Sequence, residues 1–212
     1  MSKVLLIMVL IISVNHSALA LKTDSTDINE DKSALHQVLN KFKSSPVLRS
    51  HFKQQRKLNI LKKPLLSEGK FSFISGRGII WEIKKPYPSV IIISEESVIE
   101  ITRHNNTENI NKKVNTGGFY NVLESLLSGK IGQIESNFET RFSGSSKKWE
   151  IKLTPKTAPL NKIFTVINLR GNEVLNHIQL TDKNSDTTAI DLVNIIKTPE
   201  KITALEESYF AL

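Results

Sequence analysis

Lys148-Trp149-Glu150-Ile151-Lys152-Leu153-Thr154 alternates strictly, with Trp149, Ile151 and Leu153 on one side and Lys148, Glu150, Lys152 and Thr154 on the other. A period of two with large apolar residues on one face marks a half-buried β-strand. The same period continues downstream. Ile163, Thr165, Ile167 and Leu169 alternate with Phe164, Val166, Asn168 and Arg170, and Gly171-Asn172 then sits where a tight hairpin calls for positive φ. Val174 to Thr181 and Thr187 to Ile196 form two further strands across the polar turn Asp182-Lys183-Asn184-Ser185-Asp186. The last third of the chain is thus an antiparallel β-meander. Thr198-Pro199-Glu200 then reads as the start of a short helix, a cap followed by Pro at the first position.

The first half repeats the pattern. Leu35, Val38, Leu39 and Phe42 make one amphipathic helical stripe, with Asp31 or Ser33 as cap and Pro46 as stop. The period then becomes two. Phe52, Gln54, Arg56 and Leu58 oppose Lys53, Gln55 and Lys57, and Phe71 and Phe73 share a face. Ile79, Trp81 and Ile83 alternate with Ile80, Glu82 and Lys84 after the turn Gly76-Arg77-Gly78. Strands around Val90–Ile93 and Val98–Thr102 follow, and the polar surroundings of Asn105-Asn106-Thr107 read as a loop. Phe119, Val122, Leu123, Leu126 and Leu127 return to helical spacing, opened by Thr116 or Gly117 and closed by Gly129. The fold class is mainly β with some α: one antiparallel sheet of roughly nine to eleven strands with two or three helices against one face.

The N-terminus places the chain outside the cytoplasm. Lys3 precedes an apolar run from Val4 to Val14, and Ser17-Ala18-Leu19-Ala20 ends in an A-x-A pattern. About eleven apolar residues are too few to span a bilayer, so residues 1–20 read as a signal peptide cleaved after Ala20. Residues 21–32, with Asp24, Asp27, Glu30 and Asp31, read as a loose acidic arm, and 33–212 as one domain. There is no cysteine, so packing alone must hold an exported fold, and neither a disulfide nor a lipidated N-terminal Cys is available. The composition is that of a globular protein, with 39% hydrophobic and 24% charged residues.

Formal net charge is +8, and it is concentrated: between Lys41 and Lys85 there are twelve Lys or Arg against Glu68 and Glu82. That bias suits anionic lipid headgroups or a solvated strand face. Nucleic acid is not expected, because no aromatic-basic binding motif accompanies the charge. Catalytic patterns are missing. There is no G-x-S-x-G elbow or H-E-x-x-H pair, and Ser128-Gly129-Lys130-Ile131 lacks the residues of a phosphate loop. His36, His51, His104 and His177 have no ligand spacing, so no metal, no cofactor and no enzyme are expected.

The ordered set of elements resembles the LolA family of outer-membrane lipoprotein carriers. It comprises the helix at Leu35–Phe42, His51-Phe52-Lys53-Gln54-Gln55-Arg56, Gly69-Lys70-Phe71-Ser72-Phe73 and Gly78-Ile79-Ile80-Trp81 with Pro86. Trp149 to Lys156, Phe164-Thr165-Val166-Ile167, Gly171-Asn172, Ile178-Gln179-Leu180 and Asp186-Thr187-Thr188 complete it, spanning about Leu35 to Ile196. The resemblance implies an incomplete barrel lined with apolar side chains and lidded by helices. It would be a monomeric periplasmic protein that carries acyl chains of lipoprotein or lipid cargo from an inner-membrane donor to an outer-membrane acceptor. The lining would include Phe52, Leu58, Phe71, Phe73, Ile79, Trp81 and Ile83. Val122, Leu123, Leu126 and Leu127 would form the greasy side of a lid between Gly117, Gly118 and Gly129. In the family an Arg near the Trp-bearing strand ties the lid by hydrogen bonds; Arg77 is the nearest residue here, at a different spacing from Trp81. The basic first half also departs from the family and points to a relative that moves another lipid. Two other classes compete on the residues alone: an exported interaction protein with a solid β core, and a small outer-membrane barrel. The latter expects aromatic girdles that 7% aromatics do not supply.

Overall fold

The computed structural model describes residues 33, 35–40, 47–104, 107–114, 119–198 and 202–212. The expected signal peptide, acidic arm, Pro46, Thr116, Gly117, Gly118, Pro199 and Glu200 lie outside these residues. Eleven strands form one sheet: β1 Val47–Lys57, β2 Leu65–Ile74, β3 Gly78–Lys85, β4 Ser89–Ile93, β5 Ser97–His104, β6 Thr107–Val114, β7 Phe138–Ser145, β8 Lys148–Pro155, β9 Phe164–Gly171, β10 Leu175–Asp182 and β11 Thr187–Thr198. Helix α1 covers residues 35–40, and α2 Phe119–Leu127, α3 Ile131–Asn137, α4 Leu160–Ile163 and α5 Ala204–Phe210 follow. None of these helices is long and apolar enough to cross a membrane.

The sheet order is β6-β5-β4-β3-β2-β1-β11-β10-β9-β8-β7, all pairs antiparallel. Two meanders, β1–β6 and β7–β11, meet at the β1–β11 seam, where Phe52 lies opposite Leu192. β6 and β7 do not pair, so the curved sheet stays an unclosed barrel. The seam carries a bulge between Arg49 and His51, with Asn194 of β11 at φ 53 accommodating the extra residue.

One buried cluster fills the inner face. Every strand except β6 contributes, through residues such as Leu48, Phe52, Phe71, Ile93, Val98, Phe142, Ile151, Ile167, Ile178 and Leu192, and α1, α2 and α3 add Leu35, Leu39, Leu123, Leu126 and Ile134. The outer face is apolar as well from β1 to β5. There α5 sets Tyr209 and Phe210 against Val47, Ile74, Ile80, Ile92, Ile99 and Ile101. Runs such as Ile79-Ile80-Trp81 and Ile91-Ile92-Ile93 are therefore buried on both faces.

Several elements differ from the sequence expectation. Residues around Thr107 form strand β6, whose eight residues are all exposed, rather than continuing a loop. β7 and the seven-residue α3 have no counterpart in the periodicity reading. Thr198 ends β11, and the C-terminal helix is capped by Thr203 in a reciprocal box with Glu206. Gly171 is not at positive φ. A Cβ there would fall 2.2 Å from the Val174 carbonyl oxygen and 2.3 Å from the Trp149 ring, so close packing requires the glycine.

Candidate functional site

The strand register lays the inner face out as rows. Glu100, Ile91, Trp81, Phe71 and Ser50 stand side by side on β5, β4, β3, β2 and β1. The next row holds Thr102, Ser89, Ile83, Gly69, Phe52 and Leu192, and Val98, Ile93, Ile79, Phe73 and Leu48 flank the Trp81 row on its other side. Phe52 and Phe71 bracket Trp81 with ring centroids 4.8 Å and 5.3 Å away, the second edge-on at 83°. Such tilted and edge-on pairs fix ring orientation beyond what burial alone achieves. Phe52, Phe71, Phe73, Ile79, Trp81 and Ile83, all named from alternation, thus form one continuous surface. Leu58 does not join it: β1 ends at Lys57, and Leu58 enters the β1–β2 hairpin half-buried.

Helices α2 and α3 cover this surface. Leu123, Leu126 and Leu127 are buried against it together with Tyr120 and Ile134; the side chain of Val122 lies outside the described residues. Helix α2 stops at Gly129, φ 62, whose N–H donates to the Leu126 carbonyl at 3.1 Å. Buried Glu124 accepts from Ser128 Oγ at 2.8 Å and from Lys130 Nζ at 3.2 Å, with Tyr120 Oη 3.4 Å away. Burial, and then the Glu124 charge and hydrogen bond, push the Tyr120 hydroxyl up to about 12.

The lid bond expected of Arg77 is not what the structure displays. Arg77 Nη2 donates to Glu207 of α5 at 2.6 Å, and its guanidinium lies 5.6 Å from the Phe210 ring centroid, on the outer face. The same turn meets α2 through Ser75 Oγ and Ser128 Oγ, 3.1 Å apart and exposed. A lone exposed hydroxyl pair is a weak fastening.

Polar oxygens that the periodicity reading passed over lie on the apolar wall. Ser50 Oγ, Ser67 Oγ, Ser89 Oγ and Glu100 Oε1 are buried with no hydrogen-bond partner among the described residues. Ser50 and Glu100 end the Trp81 row, Ser89 lies in the row of Ile83 and Gly69, and Ser67 lies one row beyond Gly69 on β2. Burial raises the Glu100 carboxyl above its usual value, opposed by the charge of Lys113. Each such group costs about 1–3 kcal/mol when left unmatched. A serine or glutamate inside an alternating strand gives no local sign of its orphan state, so only the register finds them. Among the described residues no group of His, Asp or Glu could hold a metal ion.

An unclosed antiparallel half-barrel with a helix-covered apolar inner face is the class that this geometry defines. A family model for the outer membrane lipoprotein carrier protein LolA matches residues 43–210, and the chain belongs to the LolA family. Solved structures with a similar trace include a LolA superfamily protein from Nitrosomonas europaea, at 10% identity and TM-score 0.45, covering 84% of this chain and 97% of that one. A lipoprotein-sorting domain from Vibrio parahaemolyticus has 9% identity and TM-score 0.44, with coverage of 85% and 97%. A protein of unknown function from Desulfovibrio piger has 10% identity and TM-score 0.47, with coverage of 85% and 96%. No curated protein matches the sequence.

Proposed function

We propose that this protein is a non-catalytic carrier of the periplasm, which shelters acyl chains of a lipoprotein or another lipid between the inner face of the sheet and α2–α3 and moves them towards the outer membrane. An exposed acyl chain of about sixteen carbons costs on the order of 10 kcal/mol in water, at about 0.8 kcal/mol per CH₂. The wall formed by Phe52, Phe71, Phe73, Ile79, Trp81 and Ile83 has the chemistry to offset that. Leu123, Leu126 and Leu127 are the side of the lid that would separate from it.

The observation that carries this reading is a set of unpartnered buried oxygens, on Ser50, Ser67, Ser89 and Glu100 and also on Thr140 of β7, standing among the apolar side chains of the inner face. A solid core has every reason to lose them, since apolar replacements of similar size would remove the cost. A lipid supplies both halves of the match: hydrocarbon for the wall, and ester, amide or hydroxyl groups for Ser50, Ser67, Ser89 and Glu100. Membership of a lipoprotein-carrier family supports the same direction.

The test is mass spectrometry of an organic extract of natively purified protein, with displacement of a fluorescent fatty acid as a second readout. Recovered lipid, or saturable fatty-acid binding, is the expected result. Protein that is always empty and binds no fatty acid would identify an interaction protein with a solid core instead.

A further inference from the structure

The β1–β2 hairpin leaves the sheet with its apolar side chains in solvent. Ile60 is 89% exposed and Leu66 64%, and Leu61 and Leu65 are exposed beside them. The β3–β4 turn ends at the same edge, since Glu68 pairs with Lys85 and thereby sets Pro86-Tyr87 level with the start of β2; Tyr87 is 72% exposed. Isolated exposed leucines are ordinary, but five large apolar side chains at one end of a sheet are not.

Charge surrounds them. Lys57, Lys62 and Lys63 flank the hairpin with no acidic partner among the described residues, while Lys85 pairs with Glu68 and Lys84 with Glu82. The tip is also built to hold its shape. Asn59 N donates to Asp186 Oδ1 at 2.8 Å, Asn59 Nδ2 donates to the Asn184 carbonyl at 2.6 Å, and Leu61 N closes on the Leu58 carbonyl at 2.9 Å. Asp182 Oδ1 in turn accepts from Asn184 N and Asp186 N, bracing the β10–β11 turn on which the hairpin rests.

We propose that the β1–β2 hairpin tip, with Tyr87 of the adjoining turn, is an edge that docks on an anionic bilayer surface. Ile60, Leu61 and Leu66 would enter the headgroup–acyl boundary, Tyr87 would sit at the interface, and Lys57, Lys62 and Lys63 would meet lipid phosphates. Among possible occupants a bilayer fits best, because the patch combines protruding aliphatic tips with lysines that have no acidic partner among the described residues. The register adds a route: Leu65 shares the inner face with Ser67 and Phe71, so the docked edge is continuous with the cargo wall.

Docking does not depend on the carrier reading, and one set of variants tests both. Wild-type and variant chains, prepared identically, are sedimented with vesicles of phosphatidylcholine alone and of phosphatidylcholine mixed with phosphatidylglycerol, at low and high salt. Fatty-acid displacement and urea unfolding are run in parallel. The wild type should bind the phosphatidylglycerol vesicles preferentially and lose binding with salt. The double variant Ile60→Ser, Leu66→Ser should weaken that binding by at least about tenfold. Lys62→Gln with Lys63→Gln should weaken it by about thirtyfold at low salt. All of these residues are exposed, so unfolding midpoints and fatty-acid binding should not move. Equal binding to both vesicle types, or variants that bind as the wild type does, overturns the proposal. So does a shift from dimer to monomer in Ile60→Ser, Leu66→Ser with vesicle binding unchanged, which would make the edge a self-association surface. Vesicle binding without any fatty-acid binding would leave the docking edge standing and remove the carrier.

Discussion

Glu206→Gln should cost this fold roughly 3 kcal/mol at pH 7 and almost nothing at pH 2. Glu206 is the point where α5 is bolted to the seam of the sheet: Arg49 Nε donates to Oε1 at 2.8 Å and Arg49 Nη2 to Oε2 at 2.6 Å. Its side chain is only 10% exposed. Burial pushes the carboxyl upward, but the Arg49 hydrogen bonds, the Thr203 N–H and hydroxyl, and the Arg49 charge outweigh burial and hold it at about 2 instead of 4.5. At about 1.36 kcal/mol per unit, that difference is roughly 3 kcal/mol of folding free energy. Because the folded value lies below the unfolded one, the contribution is complete above the unfolded pKa. It fades as pH falls from about 4.5 to about 2. Glutamine keeps one oxygen, which can still accept from the Thr203 N–H, but its NH₂ replaces the oxygen that accepts from Arg49 Nε, so the charge pair and one of its hydrogen bonds are removed together. Urea unfolding of both proteins from pH 7 to pH 2, read as the difference in midpoint at constant slope, measures the gap directly. A gap below about 0.5 kcal/mol at pH 7, the size of an ordinary surface pair, would refute the reasoning. A gap that stays the same down to pH 2 would refute it too.

Two further outcomes follow from the geometry. Amide exchange in α2 should be faster than in the Trp149–Leu153 segment of β8, and should slow when lipid is bound, since among the described residues the polar contact between the β2–β3 turn and the end of α2 is the exposed Ser75–Ser128 hydroxyl pair. Equal protection in both elements, unchanged by lipid, would leave α2 as scaffold. Gly69→Ala should destabilise by more than about 3 kcal/mol or abolish folding, because its Cβ would lie 1.9 Å from the Glu82 carbonyl oxygen at the β2–β3 bulge; a circular dichroism melt within a few degrees of wild type would contradict this.

Alternation exposed most of the sheet, and it did so where one face is buried and the other wet. β8 is read correctly for that reason; β3 is buried on both faces around Ile80, and Glu82 and Lys84 alone mark its outer side, yet Ile79, Trp81 and Ile83 lie in the same buried cluster as the inner residues of β8. β6 escapes because Thr107–Val114 is wet on both faces and carries no period to detect. Helix α3 is seven residues long, shorter than the window in which a 3.6-residue stripe stands out. The placement of α5 was hidden differently. Arg49 and Glu206 are 157 residues apart, and nothing local marks either as the other's partner. Arg77 follows the same rule: an arginine immediately before an apolar strand says that a charge is present, but which helix it reaches depends on which face the C-terminus covers.

The seam between β1 and β11 sets the order in which this molecule can assemble. Within each meander every strand pairs with its sequence neighbour, so β1–β6 and β7–β11 can zip from short hairpins with little loop-closure entropy. Joining Phe52 to Leu192 closes a loop of about 140 residues, and that long-range step is the slow one. A chain that emerges N-terminus first therefore holds β1 as a bare edge, with Phe52, Phe71 and Trp81 uncovered, until its last long strand arrives. During that interval the nascent half-sheet presents the same greasy surface that the finished protein keeps beneath its helices.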